Sequence, residues 1–353
     1  MSRYSHSTPF FSVVVPVYNA QDYLRDCLHA IEGQAFDDCE VIVVDDGSTD
    51  ASLGIEREFE RRASVPVRVI ARENRGPYEA RAAGIDAASG AFVLFCDADD
   101  AFLPGSFERL REELDKDPCD VLAFEATTER GAARPLFGYP AGGSVYEDGA
   151  KAGLIEEAAT GFSHNNLWNK CVRRELLAGL DPVHPARFGE DLYVVLQVFD
   201  RAERIRFIGD CLYWYCETEG SITRGTGLFD LDDIELLQAK TDEVLERWGL
   251  AEKTVPAMAK KDCWFCAKAV QAIMGARLTS AQRRLRLDGL RARRFVQKGV
   301  EGSGFKALRP DLGMLVALLA QRRYHLLRAA YLACGPLRGL RRLAGKARGK
   351  GRS

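Results

Sequence analysis

Phe92-Val93-Leu94-Phe95-Cys96-Asp97-Ala98-Asp99-Asp100 sets five apolar residues directly against three carboxylates within four positions. An unbroken apolar run of this length reads as a strand buried on both faces, as in a parallel sheet. Shorter, mostly apolar runs that also read as strands recur upstream at residues 11–15, 40–44 and 67–70. Between these runs lie segments with helical spacing. The first is marked by Leu24, Leu28 and Ile31 behind a candidate cap at Asn19; others cover residues 50–62 and 78–88. Strand and helix in alternation predict an α/β fold with helices on both faces of the sheet. In such sheets ligands gather beyond the carboxyl ends of the strands, and Pro16, Asp45 and Asp97 each follow directly on a predicted strand.

Beyond residue 104 the pattern is mixed. A helix is expected at 107–115, a strand at 120–124, a loop over 131–143, a helix at 190–201 and extended chain over 205–215. From about residue 229 strand signals vanish and helical patterns follow one another. The expected organisation is an α/β domain over residues 1–225, split into halves at about 10–100 and 101–225, and a helical region over 226–353.

A chain of 353 residues with 46% hydrophobic content can bury a substantial core. Residues 1–8 lack the apolar stretch of a secretory signal, and no run of about 18 apolar residues follows, so an intracellular, cytoplasmic location is expected. Ten cysteines scattered through such a chain read as free thiols, and Cys263 and Cys266 as buried helix thiols and not a zinc or redox pair. Residues 321–353 carry ten Lys or Arg and no acid, so the other 320 residues hold a formal charge of −12. This basic tail can attract an anionic membrane surface on the inner face of the cell membrane, or be simply solvated; nothing marks a nucleic-acid partner. The apolar stretch 312–320 is too short to span a bilayer and suits core packing or interfacial docking.

Three acidic motifs can carry chemistry, and each has a bland reading beside it. Asp97 and Asp99 offer hard oxygen ligands to Mg²⁺ or Mn²⁺ while leaving positions for phosphate oxygens, yet Asp-x-Asp at a strand end is also a common turn or cap. In Asp45-Asp46-Gly47-Ser48-Thr49-Asp50, Gly47 allows a tight turn and Ser48 or Asp50 can cap the next helix. A carboxylate there can also accept from a base N–H or ribose hydroxyls. Glu190-Asp191 starts a helix, where acids favour the dipole, or supplies a general base. No GxGxxG follows the first strand, which argues against a nicotinamide or flavin enzyme.

Taken in order, three segments resemble the family 2 glycosyltransferases with the GT-A fold: Val13-Val14-Val15-Pro16-Val17-Tyr18-Asn19, Val43-Val44-Asp45-Asp46-Gly47-Ser48-Thr49-Asp50 and Asp97-Ala98-Asp99-Asp100. Leu167-Trp168-Asn169-Lys170, Phe188-Gly189-Glu190-Asp191, Tyr215 and Gly220-Ser221-Ile222-Thr223 extend the likeness to the branch that builds bacterial capsule, exopolysaccharide and lipopolysaccharide. The resemblance implies a Rossmann-like mixed sheet and an inverting transfer from a nucleotide-diphosphate sugar, expected to be a UDP-sugar, to a glycan or lipid-linked acceptor. It implies that Pro16, Val17, Tyr18, Asp45 and Asp46 hold the nucleoside and that Arg81 lies near the donor phosphates. Asp97, Ala98 and Asp99 would form the metal and diphosphate site, Asp191 beside Glu190 the base, and Trp168 and Lys170 the acceptor side. Ala82 departs from the asparagine that many members carry after this arginine. The alternative weighed is a non-catalytic nucleotide-binding subunit of a polysaccharide assembly complex. A nucleotidyltransferase would want a Gly-rich basic loop after the first strand, which residues 15–19 do not supply.

Overall fold

The computed structural model describes residues 8–129, 134–161, 164–181, 189–216 and 230–333. Two compact units divide the chain, Met1–Arg224 and Gly225–Ser353.

The first unit opens with β1 (Phe11–Val17), α1 (Leu24–Glu32), β2 (Cys39–Asp45), α2 (Ser52–Arg62), β3 (Val67–Ala71), α3 (Pro77–Ala87) and β4 (Phe92–Phe95). These strands lie parallel in the order β3-β2-β1-β4. Val17 pairs with Asp45 and Val14 with Phe95, so Tyr18, Asp46 and Asp97 leave the sheet along one edge. The expected alternation is therefore present, with strand limits differing by one or two residues.

The second half of the sheet is mixed. It contains β5 (Ala101–Phe102), α4 (Ser106–Lys116), β6 (Val121–Thr127), β7 (Ser144–Glu147), α5 (Lys151–Thr160), β8 (Lys170–Arg173), α6 (Glu190–Arg201) and β9 (Arg204–Trp214). β8 runs antiparallel between β4 and β6, while β9 lies parallel to β6 and antiparallel to β5 and β7. Strands β5, β7 and β8 had no counterpart in the expected pattern. Phe11, Leu94, Phe107, Leu122, Phe124 and Tyr213 belong to one core cluster, which welds the two halves together.

Asn19 does not cap α1. It sits at φ 49°, and its side-chain Oδ1 accepts from Thr49 N at 2.7 Å, because the turn after β1 folds against the turn after β2. Ser48 likewise leaves the α2 cap and accepts from Asn19 N, while Asp50 accepts from Ser52 N in the first turn of α2.

The second unit is helical throughout its described part: α7 (Leu231–Arg247), α8 (Ala251–Gly275), α9 (Ser280–Arg291), α10 (Arg294–Glu301), α11 (Pro310–Ala320) and α12 (Tyr324–Ala333). Gly304 abuts α8, where a Cβ would lie 2.0 Å from the Ala259 carbonyl oxygen. Cys263 and Cys266 are free and buried, and Leu312, Leu315, Val316 and Leu319 of α11 are buried too, as core packing requires. Among the described residues no helix is long and apolar enough to cross a membrane. Residues 334–353 of the basic tail, Phe188 and residues 220–223 lie outside the described residues.

Candidate functional site

The turns after β1 and β2 build one wall. Tyr18 is 54% exposed beyond Val17, and Pro16 is half-buried. Asp45 is buried and accepts from Ser48 N, closing its own turn. Asp46 is buried as well, and its carboxylate accepts from Arg75 N at 3.0 Å and Gly76 N at 2.7 Å. Both acids, expected at a nucleoside, are engaged by backbone N–H groups of the loops after β2 and β3. Gly47, at φ 76°, allows the β2–α2 turn to meet Asn74, whose N would lie 2.8 Å from an added Cβ.

At the end of β4 the three acids separate in role. Asp97 and Asp99 are half-buried, whereas Asp100 is turned inward and only 2% exposed. Tyr213 of β9 donates to Asp100 Oδ2 at 3.0 Å and accepts from Asp97 N at 3.1 Å. Cys216 N donates to Asp100 Oδ1 at 2.8 Å. Burial, then the charges of Asp97 and Asp99, pushes the Asp100 carboxyl up to about 9, against the hydrogen bonds from Cys216 N and Tyr213 that fasten the loop to β9. Ala98 is buried between these two half-buried acids, Asp97 and Asp99.

Arg81 of α3 joins this loop to the start of α6. Its Nη2 donates to Asp97 Oδ1 at 2.9 Å and its Nη1 to Glu190 Oε1 at 3.0 Å. Asp191 Oδ1 lies 2.9 Å from the same Nη1, close enough for an ion pair, but without a formed hydrogen bond. Burial opposes the guanidinium charge, yet Asp191, Asp97 and Glu190 together hold it protonated more firmly than usual. The Asp191 carboxyl is pushed up to about 7 by burial; Arg81 and Lys170 pull it down, while Glu190 and Asp97 push it further up. Glu190 is thus the hydrogen-bonded partner, and Asp191 the acid with lone pairs to spare.

Trp168 and Lys170, expected beside an acceptor, are interior. Trp168 is 6% exposed and stacks on Tyr213 with ring centres 4.8 Å apart, and on Tyr215 at 5.5 Å. Lys170 is fully buried; its Nζ donates to Asn169 Oδ1 at 2.8 Å and also to the Asn166 carbonyl. Burial lowers the Lys170 ammonium to about 7, with Asp191 opposing the fall. A cavity of about 200 Å³ instead opens beside Arg81, Glu190 and Asp191, walled by Leu167, Leu177, Leu180 and Val194. Tyr213 and Asp100, which tie the acidic loop to β9, were missed because a tyrosine in an apolar strand and a third acid in a run carry no separate signal.

Among the described residues no group of three or more His, Cys, Asp or Glu side chains forms a metal cage. Asp97 and Asp99 supply hard oxygens from one short loop, a donor set that fits Mg²⁺ or Mn²⁺ shared with a diphosphate.

Residues 12–136 match the family described as Glycosyl transferase family 2. EpsJ of Bacillus subtilis (strain 168), described as an uncharacterized glycosyltransferase, is 31% identical over 220 residues, 61% of this chain and 63% of its own. The matched segment covers 61% of EpsH from the same organism, so the alignment spans somewhat under two thirds of these relatives. The glycosyltransferase GlyG of Streptococcus pneumoniae serotype 4 is 30% identical over 243 residues, 66% of this chain and 79% of GlyG. The crystal structure of S. aureus TarS 1–349 superposes with a TM-score of 0.56 at 20% identity, covering 92% of this chain and 90% of that one. Sheet order, acidic strand-end loop and these likenesses agree: the chain belongs to glycosyl transferase family 2 and carries the GT-A fold.

Proposed function

We propose that the protein is an inverting glycosyltransferase that moves a sugar from a nucleotide-diphosphate donor, a UDP-sugar, to a hydroxyl of a glycan or lipid-linked acceptor in cell-surface polysaccharide synthesis. The observation that carries this reading is the Arg81 guanidinium, which has Asp97 at one edge and Asp191 at the other, each at 2.9 Å. A leaving-group site and a candidate base are thereby held on two sides of one small cleft. TarS 1–349 from S. aureus has crystal structures in complex with UDP-GlcNAc and with UDP, which supports a uridine donor here.

In this scheme Tyr18 and the turns at Asp45 and Asp46 receive the nucleoside, and Asp97 and Asp99 face the diphosphate. A divalent cation held by Asp97 and Asp99, when bound, neutralises charge on the leaving diphosphate. The acceptor reaches Asp191 through the neighbouring cavity. Its oxygen forms a bond to the anomeric carbon while the bond from that carbon to the phosphate oxygen breaks. The hydroxyl proton passes to Asp191, and the electron pair leaves with the nucleoside diphosphate. A carboxyl near 7 suits this step, since a base works best when its pKa lies close to the working pH. The net charge of the tail supports an anionic membrane as a further partner, with the enzyme on its cytoplasmic face.

The test is nucleotide release from a panel of nucleotide sugars with Mn²⁺ and sugar acceptors. At least one donor should be consumed, and Asp191→Asn should lower transfer by about 10²–10⁴-fold while UDP still binds. Full activity in that variant removes the base assignment, and unchanged metal-dependent UDP binding in Asp99→Asn removes the metal assignment.

A further inference from the structure

Three carboxylates, Asp97, Glu190 and Asp191, converge on the Arg81 guanidinium, and such a group repels itself unless a cation lies inside it. Arg81 contacts all three, yet its side chain is only 10% exposed. Its reach is set by α3. Gly84, one turn further along the same buried face, lies so close to β1 that an added Cβ would sit 2.3 Å from Val14 Cγ1. The helix is therefore seated directly on the strand that pairs with β4, and Arg81 is fixed relative to Asp97.

The acids on the other side have a different footing. Glu190 and Asp191 occupy the first turn of α6, just past Gly189 at φ 77°. α6 is a helix beyond the parallel strands, so its first turn is registered against the β4 loop by side chains and not by a strand ladder. The Arg81 hydrogen bonds to Glu190 and Asp97 are that registration.

Resting on the proposed transferase reading, we infer that Arg81 is a positioning residue: it spans from the diphosphate end of the site to the base helix and fixes where Asp191 stands relative to the breaking bond. Its two Nη atoms are both turned to carboxylates, so its work is on the protein's own acids and not on the donor phosphates. Geometry, and not charge alone, is what it supplies. A lysine keeps the charge, but a single ammonium cannot span Asp97 and Glu190 as a planar fork does.

The variants are Arg81→Lys and Arg81→Met, measured for kcat, donor KM, UDP affinity with Mn²⁺, and hydrogen exchange at residues 190–193. Arg81→Lys preserves the charge balance of the cleft, so it keeps the test alive should Arg81→Met fail to fold. The expected result for Arg81→Lys is a kcat lower by about 10–100-fold, as a displacement of about 1 Å at the reacting atoms produces. Donor KM and UDP affinity stay within about threefold, below the tenfold that about 1.4 kcal/mol would give, and exchange at 190–193 quickens. A fully active Arg81→Lys overturns the inference, since charge alone would then suffice. Weakened UDP binding with kcat intact overturns it too, because Arg81 would be a phosphate ligand. If the wild-type protein consumes no nucleotide sugar, the transferase reading fails; unchanged exchange at 190–193 in Arg81→Lys then separately rejects the positioning role.

Discussion

Replacing Glu56 by glutamine should stabilise the Met1–Arg224 unit by an amount that grows with pH. Glu56 lies on the buried face of α2, is 0% exposed, and neither carboxylate oxygen has a hydrogen-bond partner. Burial, reinforced by Asp45 and Asp50 against the pull of Arg57, pushes its carboxyl from 4.5 up to about 8. Below pH 4.5 the group is protonated in both folded and unfolded chains and costs nothing relative to an amide. As pH rises, the unfolded chain ionises first while the folded chain keeps its proton, so stability drains away until the folded carboxyl itself ionises. The loss is about 3 kcal/mol near pH 7 and about 5 kcal/mol above the upper value, at about 1.4 kcal/mol for each step of one in pH. Glutamine has the same shape and does not titrate, so the variant should recover that energy. For a unit of this size about 3 kcal/mol raises the melting temperature by roughly 6–12 °C. Thermal unfolding of both proteins, followed by fluorescence at matched pH values from 4 to 9, reads the difference directly. A gap that is independent of pH, or a variant that melts lower at pH 7, would refute the reasoning, the latter by revealing that the carboxylate has a partner worth more than its charge costs.

With Asp191 as the proposed base, its raised carboxyl predicts that kcat/KM falls as pH drops through about 7, because a base must be ionised to accept a proton; nucleotide-release rates that hold steady down to pH 5 would contradict it. Gly84→Val should push α3 off β1, costing about 1–3 kcal/mol or more and lowering activity through Arg81, as thermal unfolding and kcat measured together would show. Asp46→Ala removes the acceptor for Arg75 N and Gly76 N. Losing one charged hydrogen-bond acceptor costs about 2 kcal/mol, roughly thirtyfold, and this should appear as weaker UDP binding in calorimetry with kcat at saturating donor nearly unchanged.

The parallel half of the sheet was legible because strands covered on both faces must be almost wholly apolar, as residues 92–96 are and residues 11–15 are apart from Ser12. The mixed half was not, for different reasons in each strand. β5 has only two residues, too few for any period. β7 alternates half-buried with exposed positions and ends in Tyr146 and Glu147, so its signal merges with the loop before it. β8 begins with Lys170 and ends with Arg173, residues that ordinarily mark a solvated segment, and only tertiary packing puts that lysine in the interior. The same override misled the reading of Asn19, since a cap and a left-handed turn residue are drawn from the same short polar side chains.

The acidic motifs could be listed from the sequence, but their meeting could not be read from spacing, because Arg81 and Glu190 are 109 positions apart. A physical signal was nevertheless present in α3. Its buried residues are Ala80, Arg81 and Gly84, so the face turned inward carries two small residues and a cation where a helix lying on a sheet ordinarily carries leucines or valines. Small residues bring the helix axis close to the strand, and a buried guanidinium is stable only where carboxylates meet it. An arginine flanked by such residues, on a helix that feeds an apolar strand ending in acids, therefore implies that those acids and a second acidic group share it. Of the acidic motifs downstream, Glu190-Asp191 opens a helix, where side chains of the first turn can point back at a neighbouring strand end, and this is the pair that Arg81 holds.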